Sequence, residues 1–521
     1  MPTIHDILAK GYFPRELPPA FTTSSFANAV AGNAAFLQGP PWSAHLCVHN
    51  MVRSGGLRRN LGVPNPVQYA RLCNFVANNW NQLQTAAGRS PFSLTKPVDT
   101  KPERAISGQF DLDARTAKRV EIRSRARFIL HTDVNRFYPS IYTHSIPWAI
   151  HGKSVVKQAK AAKALGGLWS DSLDLLTRNL NDQQTMGLPI GPDISLLLAE
   201  VVLGAVDEQL AAKIPGLRAI RFIDDYEFAF NQRSEAEKVV SELQSILSHY
   251  ELALNPSKTR IIELPDSVES LWTSRLRTFL FRDAGIKGQC NDLTAYFDIV
   301  FTLSKNEPNE GIFKFAIPRL NSVAVEDANW PILQNLLAQC ATVEPACLPQ
   351  VCEQMVHYKG LNRNIDVNLW SECLNQIIVE RLPLGQASEA VWALWLMKYL
   401  AVAMIPAAEQ AVNDSEDSAA ALLGLGLASI GLANPAAFSR LNAFAEPDEL
   451  FGRQWLLCYE GVRRGWIKAP SGVNSLAATP QFAFLNGNGV SFFDLNAAPA
   501  VPRRGGAVAV GGGGGGGAYP I

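Results

Sequence analysis

Residues 219–230 read AIRFIDDYEFAF, two short apolar runs hinged on a pair of aspartates, Asp224 and Asp225. The aromatic and branched residues on either side predict two strands joined at that pair. Taken alone, an Asp-Asp pair between apolar strands is more often a solvated turn, because aspartate favours turns. The flanking sequence changes its meaning. Upstream, Phe128–Val134 predicts a buried strand ending at Asp133, and Pro192 and Asp193 open a helical stretch to about Lys213. Downstream, Ser234 and Glu237 fit an S-x-x-E capping box ahead of a helical face carrying Val239, Leu243, Ile246 and Tyr250. Strand, helix, paired strands and helix pack most economically as an antiparallel sheet with helices on one face.

That arrangement would bring three carboxylates together. Joining a nucleotide to a 3′-hydroxyl needs two divalent cations, one activating the attacking oxygen and one gripping the phosphates. Mg²⁺ takes hard oxygen ligands, and clustered negative charge is tolerable where metals neutralise it. Four segments occur in order: TDVNRFYPSI at 132–141, GLPIGPDIS at 187–195, RFIDDYEF at 221–228 and LALNPSKTRI at 252–261. Together they resemble the palm motifs of reverse transcriptases.

The resemblance implies roles residue by residue. Asp133, Asp224 and Asp225 would be catalytic metal ligands for two Mg²⁺ ions, with the Val134 carbonyl as a further oxygen donor. Tyr138, in DVNRFYPSI, occupies the place of the steric gate that excludes a 2′-hydroxyl. QTMGLPIGP at 184–192 is similar to the nucleotide- and template-handling motif, which makes Gly191 a candidate nucleotide contact. Ile190 replaces the glutamine usual in retroviral enzymes, so that side chain's role does not carry over. FIDD at 222–225 matches YxDD with Phe222 for tyrosine, and LNPSKT at 254–259 makes Lys258 a candidate to steady departing pyrophosphate. RRNLGVPNP at 58–66 is similar to a fingers motif, so Arg58 or Arg59 would touch the triphosphate. Core packing accounts for Trp272 and Phe279–Phe281, which also fall where a primer grip is expected.

GYFPRELPPAF at 11–21 and FYPSIYTHSIPWAIHGK at 137–153 look most like bacterial antiphage-defence reverse transcriptases of the abortive-infection, AbiK-like type. The resemblance covers about residues 12–285. It implies dNTP substrates, a helical repeat-type scaffold and homo-oligomers, with noncoding RNA or single-stranded DNA product as partners. It also implies synthesis that is RNA-directed or template-independent, sometimes started from a protein hydroxyl. Tyr519, beyond the glycine run 511–517, is a candidate protein primer.

Composition bounds the rest. A chain of 521 residues predicts two or three domains, and 18% charged residues favour buried helix packing over a solvated chain. The expected fold class is α+β: fingers and N-terminal region at 1–127, palm at 128–290, and an all-α, repeat-like domain at 291–465. A flexible Gly/Ala/Asn-rich tail is expected at 466–521. The net charge of zero hides an excess of bases in 1–290, 33 against 26 acids, and of acids in 291–460, 20 against 9. Nucleic acid therefore belongs on the first segment. Arg115–Arg127 holds six bases and one acid, and Lys153, Lys157, Lys160 and Lys163 lie in a stretch without acids. Both suit a phosphate backbone, with a solvated helix face the alternative for the lysines. Eight cysteines without a CxxC pair fit a reduced cytoplasmic protein, and His45, Cys47 and His49 lack the second ligand pair of a zinc site. The apolar stretch Val391–Ile405 is too short for a bilayer, so no membrane role is expected. The competing reading is a catalytically idle RNA-binding scaffold with a helical partner-docking domain. The joint presence of Asp133, Asp224, Asp225, Tyr138 and Lys258 argues against it.

Overall fold

Residues 47–63 carry branched and polar side chains on both sides of Ser54-Gly55-Gly56, and they fold as a hairpin of β1 (Cys47–Val52) and β2 (Arg58–Val63). The computed structural model describes residues 1–38, 42–101, 104–110, 112–282 and 285–497. In the hairpin Met51 faces Arg59 and Val52 faces Arg58. Its tip passes through Gly55 at φ +74°, where a Cβ would collide with Asn309. A second hairpin pairs β3 (Pro97–Lys101) with β4 (Arg104–Gly108).

The central sheet contains β5 (Phe128–Asp133), β6 (Arg218–Phe222), β7 (Asp225–Phe230) and β8 (Arg260–Glu263), in the order β6-β7-β5-β8. All its pairings are antiparallel. The fold is thus α+β, with a helical C-terminal half. Helix Asp193–Lys213 is buried along most of its length because the helices Trp80–Ala87 and Ser145–His151 enclose it. That setting explains a helix with apolar residues on every side, its buried Asp193, Glu200 and Asp207 paired with arginines. Gly204 lets the neighbouring chain approach: a Cβ there would lie 3.2 Å from the carbonyls of Ala86 and Ala87. Helix Arg233–His249 packs on β7 and β5. Its capping box differs from the expected one: Gln232 and Glu235 form it, because the helix begins one residue before Ser234. Glu237 instead pairs with Arg233 at 3.2 Å.

From Gly285 to Gly487 the described chain is helices and short turns. Val367–Arg381 packs on Ala387–Leu400, which packs in turn on Ser418–Ser429. Proline marks the breaks: 3₁₀ turns begin at Pro345 and span Pro383, and Pro406 opens a new helix. No helix among the described residues is long and apolar enough to cross a membrane.

The helical half grips the first hairpin and its surroundings. Trp455 Nε1 donates to the Val63 carbonyl at 3.1 Å, Asn65 Nδ2 to the Leu450 carbonyl at 2.8 Å, and Trp392 Nε1 to the Glu16 carbonyl at 2.9 Å. His49 Nδ1 lies 2.8 Å from Asp417 Oδ2, both buried, which accounts for this histidine without a metal. The tail expected to be flexible departs from its composition. Residues 466–497 include two helices and the buried Phe482, Phe492 and Phe493. Phe492 packs against Tyr12, Phe13, Phe26, Trp455 and Tyr459 and joins the two ends of the described chain.

Candidate active site

β5 ends at Asp133 and β7 begins at Asp225, and the sheet register sets these two residues opposite each other. Asp224 lies between them and β6, in the turn Ile223–Asp224. Burial, then the charges of Asp225 and Asp133, push the Asp224 carboxyl up to about 7. Lys258 moves it the other way. Three carboxylates therefore crowd one end of the sheet, and the crowding is unfavourable in the protein alone.

The turn itself is strained and held. Ile223, branched at Cβ, has φ +56°, a conformation costly for such a residue. Its amide donates to Thr95 Oγ1 at 3.0 Å, and its carbonyl accepts from Arg221 Nη1 at 2.6 Å. Arg221 is fully buried, donating to both oxygens of Glu200 at 2.9 Å and to Asp207 Oδ2 at 2.7 Å. Ser93 and Thr95 also donate to Glu200, while Ser90 and Tyr226 donate to Asp207. This network lies directly behind the turn, and it fixes where Asp224 and Asp225 stand.

Cations face the carboxylates. The loop after Leu254 is tied to β5 by the Asn255 amide, which donates to the Asp133 carbonyl at 2.9 Å, and by the Thr132 and Thr259 hydroxyls at 2.7 Å. This brings Lys258 Nζ to 2.5 Å from Asp133 Oδ2. Arg115 Nη2 lies 3.4 Å from Asp225 Oδ2, its guanidinium 5.2 Å from the Phe222 ring centre. Burial lowers Arg53, and the charges of Asp224, Asp225 and Asp133 raise it. Burial and then Arg53 lower Arg59, while Asp224, Tyr138 and Glu16 raise it. Two arginines of the first hairpin thus lie close enough to the carboxylates to feel their charge, although burial lowers both on balance. Val134 bridges Leu254 through the flanking Asp133 carbonyl and Asn135 amide. Strand alternation turns its own carbonyl to the side of the strand away from Leu254.

Residues 94–280 match the family described as reverse transcriptase (RNA-dependent DNA polymerase). The chain carries a reverse transcriptase domain. No curated protein matches the sequence. Among solved structures it is similar to telomerase from Candida albicans with a TWJ fragment of telomeric RNA, at 10% identity and TM-score 0.29, covering 67% of this chain and 63% of that one. It is also similar to apo telomerase from Candida tropicalis, at 11% identity and TM-score 0.31, covering 76% and 73%. The chain spans less than two thirds of the Candida albicans protein's length.

Within the reverse transcriptase domain and its approach, the expected contacts divide. Arg58 turns away from the carboxylates: it donates to both oxygens of Glu389, at 2.6 and 3.0 Å, and to Asn50. Strand geometry allows only one of two adjacent arginines to face the aspartates, and that one is Arg59. Gly191 is also used structurally. Its carbonyl accepts from Arg104 Nη2 at 2.8 Å, and a Cβ on it would lie 2.5 Å from Pro14 Cγ. Tyr138 lies in the helical turn Phe137–Ser140, its carbonyl accepting the Leu188 amide at 2.9 Å. Phe279, Phe281 and Tyr296 pack together at 5.0 Å as core. Tyr519 lies outside the described residues. Arg53 is the contact the sequence reading missed, although the hairpin register supplies its signal: two residues beyond Met51, it shares a face with Arg59.

The donor set fits hard divalent cations. The three aspartates present only oxygen ligands, and Asp133 Oδ1 is buried without a hydrogen-bond partner. Among the described residues no three His, Cys, Asp or Glu side chains already enclose one cation position. Ligands beyond the carboxylates would complete such a shell, as is usual for magnesium in phosphoryl-transfer sites.

Proposed function

We propose that the chain is a DNA polymerase adding dNTPs to a 3′-hydroxyl or a protein hydroxyl, RNA-directed or template-independent, in antiphage defence. The observation that carries this reading is the register pairing of Asp133 with Asp225, with Asp224 held beside them in a clamped turn. Asp133, Asp224, Asp225 and the Val134 carbonyl would hold two Mg²⁺ ions. Bound there, such a pair activates the attacking oxygen and neutralises charge on the phosphates. Arg59 and Arg53 would grip the triphosphate, and Lys258 would release Asp133 and steady the pyrophosphate. The defence role draws on GYFPRELPPAF and FYPSIYTHSIPWAIHGK, and noncoding RNA, single-stranded DNA and further copies of the chain would be its partners. Eight free cysteines suit a reducing cytoplasm.

The test is incubation of the purified chain with Mg²⁺ and dNTPs, with and without co-purified RNA, and sequencing of the product. DNA made only with RNA present would mark a templated enzyme. No DNA under either condition would remove the polymerase reading. For the defence role, cells carrying the active chain should survive phage challenge better than cells carrying an inactive one, and equal plaque counts would remove it.

Two substitutions test the assignment of side chains. Arg59→Ala is expected to raise the KM for dNTP by roughly tenfold or more, the loss of a charge-assisted contact. Arg58→Ala instead strands the buried Glu389 and should cost about 2 kcal/mol of unfolding free energy. Steady-state kinetics and urea denaturation of the two proteins separate these effects, and a KM effect confined to Arg58→Ala would reverse the assignment. Tyr138→Ala is expected to admit ribonucleotides, read as the ratio of kcat/KM for ribo- and deoxynucleotide. An unchanged ratio would remove the gate from this residue.

A further inference from the structure

The helices Pro66–Asn78 and Trp169–Asn179 flank a cavity of about 310 Å³, separate from the residues assigned above to nucleotide or metal binding. Its lining includes Gln68, Arg71, Asn74, Phe75, Asn78 and Asn179, so amides, one guanidinium and one ring stand beside three leucines. Gln68 is 1% exposed, yet neither its amide nitrogen nor its amide oxygen has a hydrogen-bond partner. A native fold rarely leaves both halves of a buried amide unpaired. The pattern calls for something in the cavity that presents a donor and an acceptor side by side.

The surroundings narrow what that is. Phe75, which lines the cavity, is backed by Trp169, with ring centres 6.2 Å apart and planes 25° apart, and so gives it one aromatic wall. The His151 ring meets the edge of the same Trp169 at 6.0 Å. His151 is the last residue of its helix, and the next helix, Lys153–Ala161, carries Lys153, Lys157 and Lys160 with no acid. Lys157, Lys160 and the following Lys163 are exposed, and Lys163 is six residues from Trp169, a span of at most about 20 Å. A row of exposed ammonium groups attracts a phosphate backbone. An aromatic wall beside unpaired amide groups suits a planar base with a donor–acceptor edge.

We propose that this cavity takes one unstacked nucleobase of a single-stranded RNA whose backbone lies along Lys157, Lys160 and Lys163, Lys153 being already paired with Glu251. Gln68 pairs with the base edge, Phe75 contacts its face, and Arg71 bounds the cavity on the side of Trp42, whose ring centre is 5.8 Å from the guanidinium. The site is independent of the polymerase reading, since binding there needs no aspartate, metal or nucleotide addition.

The test measures fluorescence anisotropy of the full chain, without divalent ions, against short single-stranded homopolymeric RNAs, an abasic strand of equal length and the nucleoside monophosphates. Gln68→Met keeps the side chain's length and removes both unpaired groups. It is expected to weaken binding of at least one base-bearing strand about tenfold and to leave the abasic strand unaffected. Lys157→Glu with Lys160→Glu should weaken every strand and reduce the salt dependence. Loss confined to RNA assigns a base within a strand. Parallel loss of monophosphate binding assigns a free nucleotide as the source of the same base chemistry. Asn74→Ala, at a half-buried position of the wall, gives a second reading should Gln68→Met lower the melting temperature. If both variants bind every strand and monophosphate as the parent does, the cavity holds only solvent and the proposal is overturned.

Discussion

Replacing Asp224 by asparagine is expected to cut nucleotide incorporation by roughly a thousandfold or more and, at the same time, to raise the melting temperature. The two effects have one origin. In the protein alone, Asp224 is pushed up to about 7 by burial and by the charges of Asp225 and Asp133. Asparagine keeps the shape and removes the repulsion, a gain on the order of 1–2 kcal/mol. The same repulsion is what a divalent cation would relieve, so the cost in the empty site is the counterpart of affinity in the filled one. Mg²⁺ should therefore raise the parent's melting temperature more than the variant's. Calorimetry with and without Mg²⁺, beside a primer-extension assay, reads both predictions. A variant that incorporates nucleotides like the parent would end the catalytic assignment of Asp224. One that loses activity while becoming less stable would mean that the side chain supports the turn instead of paying for function.

The carboxylates were legible in the sequence because each signal was local. AIRFIDDYEFAF encodes a hairpin within twelve residues, and Phe128–Asp133 encodes its neighbouring strand. What escaped depended on partners distant in the chain. Nothing near Arg58 distinguishes it from Arg59; the difference is Glu389, 331 residues away, which captures the side chain on the far face of β2. Gly191 occupies a motif position, yet its conformation is decided by the Pro14 ring and by Arg104. Across 466–521, glycine, alanine and asparagine dominate a composition average, the glycine run 511–517 above all, and hide the aromatic residues of the segment 466–497. Phe482, Phe492 and Phe493 suffice to fix it, since each aromatic side chain buries a large apolar area.

Arg221→Met is expected to lower the unfolding free energy by about 3–5 kcal/mol and to remove most nucleotide incorporation. Arg221 is wholly buried, and burial alone would disfavour its charge; Asp207 and Glu200 more than compensate. Methionine fills similar space but leaves two buried carboxylates facing each other without a cation, which is the costly way to break such a network. It also removes the donor to the Ile223 carbonyl, one of the two bonds that hold a branched residue at φ +56°. The second loss bears on chemistry, because Asp224 follows directly and its position depends on that peptide. The two losses can be separated by adding Glu200→Gln and Asp207→Asn to Arg221→Met. Each neutral amide keeps one accepting oxygen for one of its two hydroxyl partners and turns its NH2 toward the other, so no buried charge is left and much of the stability should return. Incorporation should not return, since no group replaces the guanidinium at the Ile223 carbonyl. Denaturant titration beside primer extension on the single and triple variants reads this directly. If activity recovers in step with stability, Arg221 only holds the core together, and the turn positions its aspartates without it.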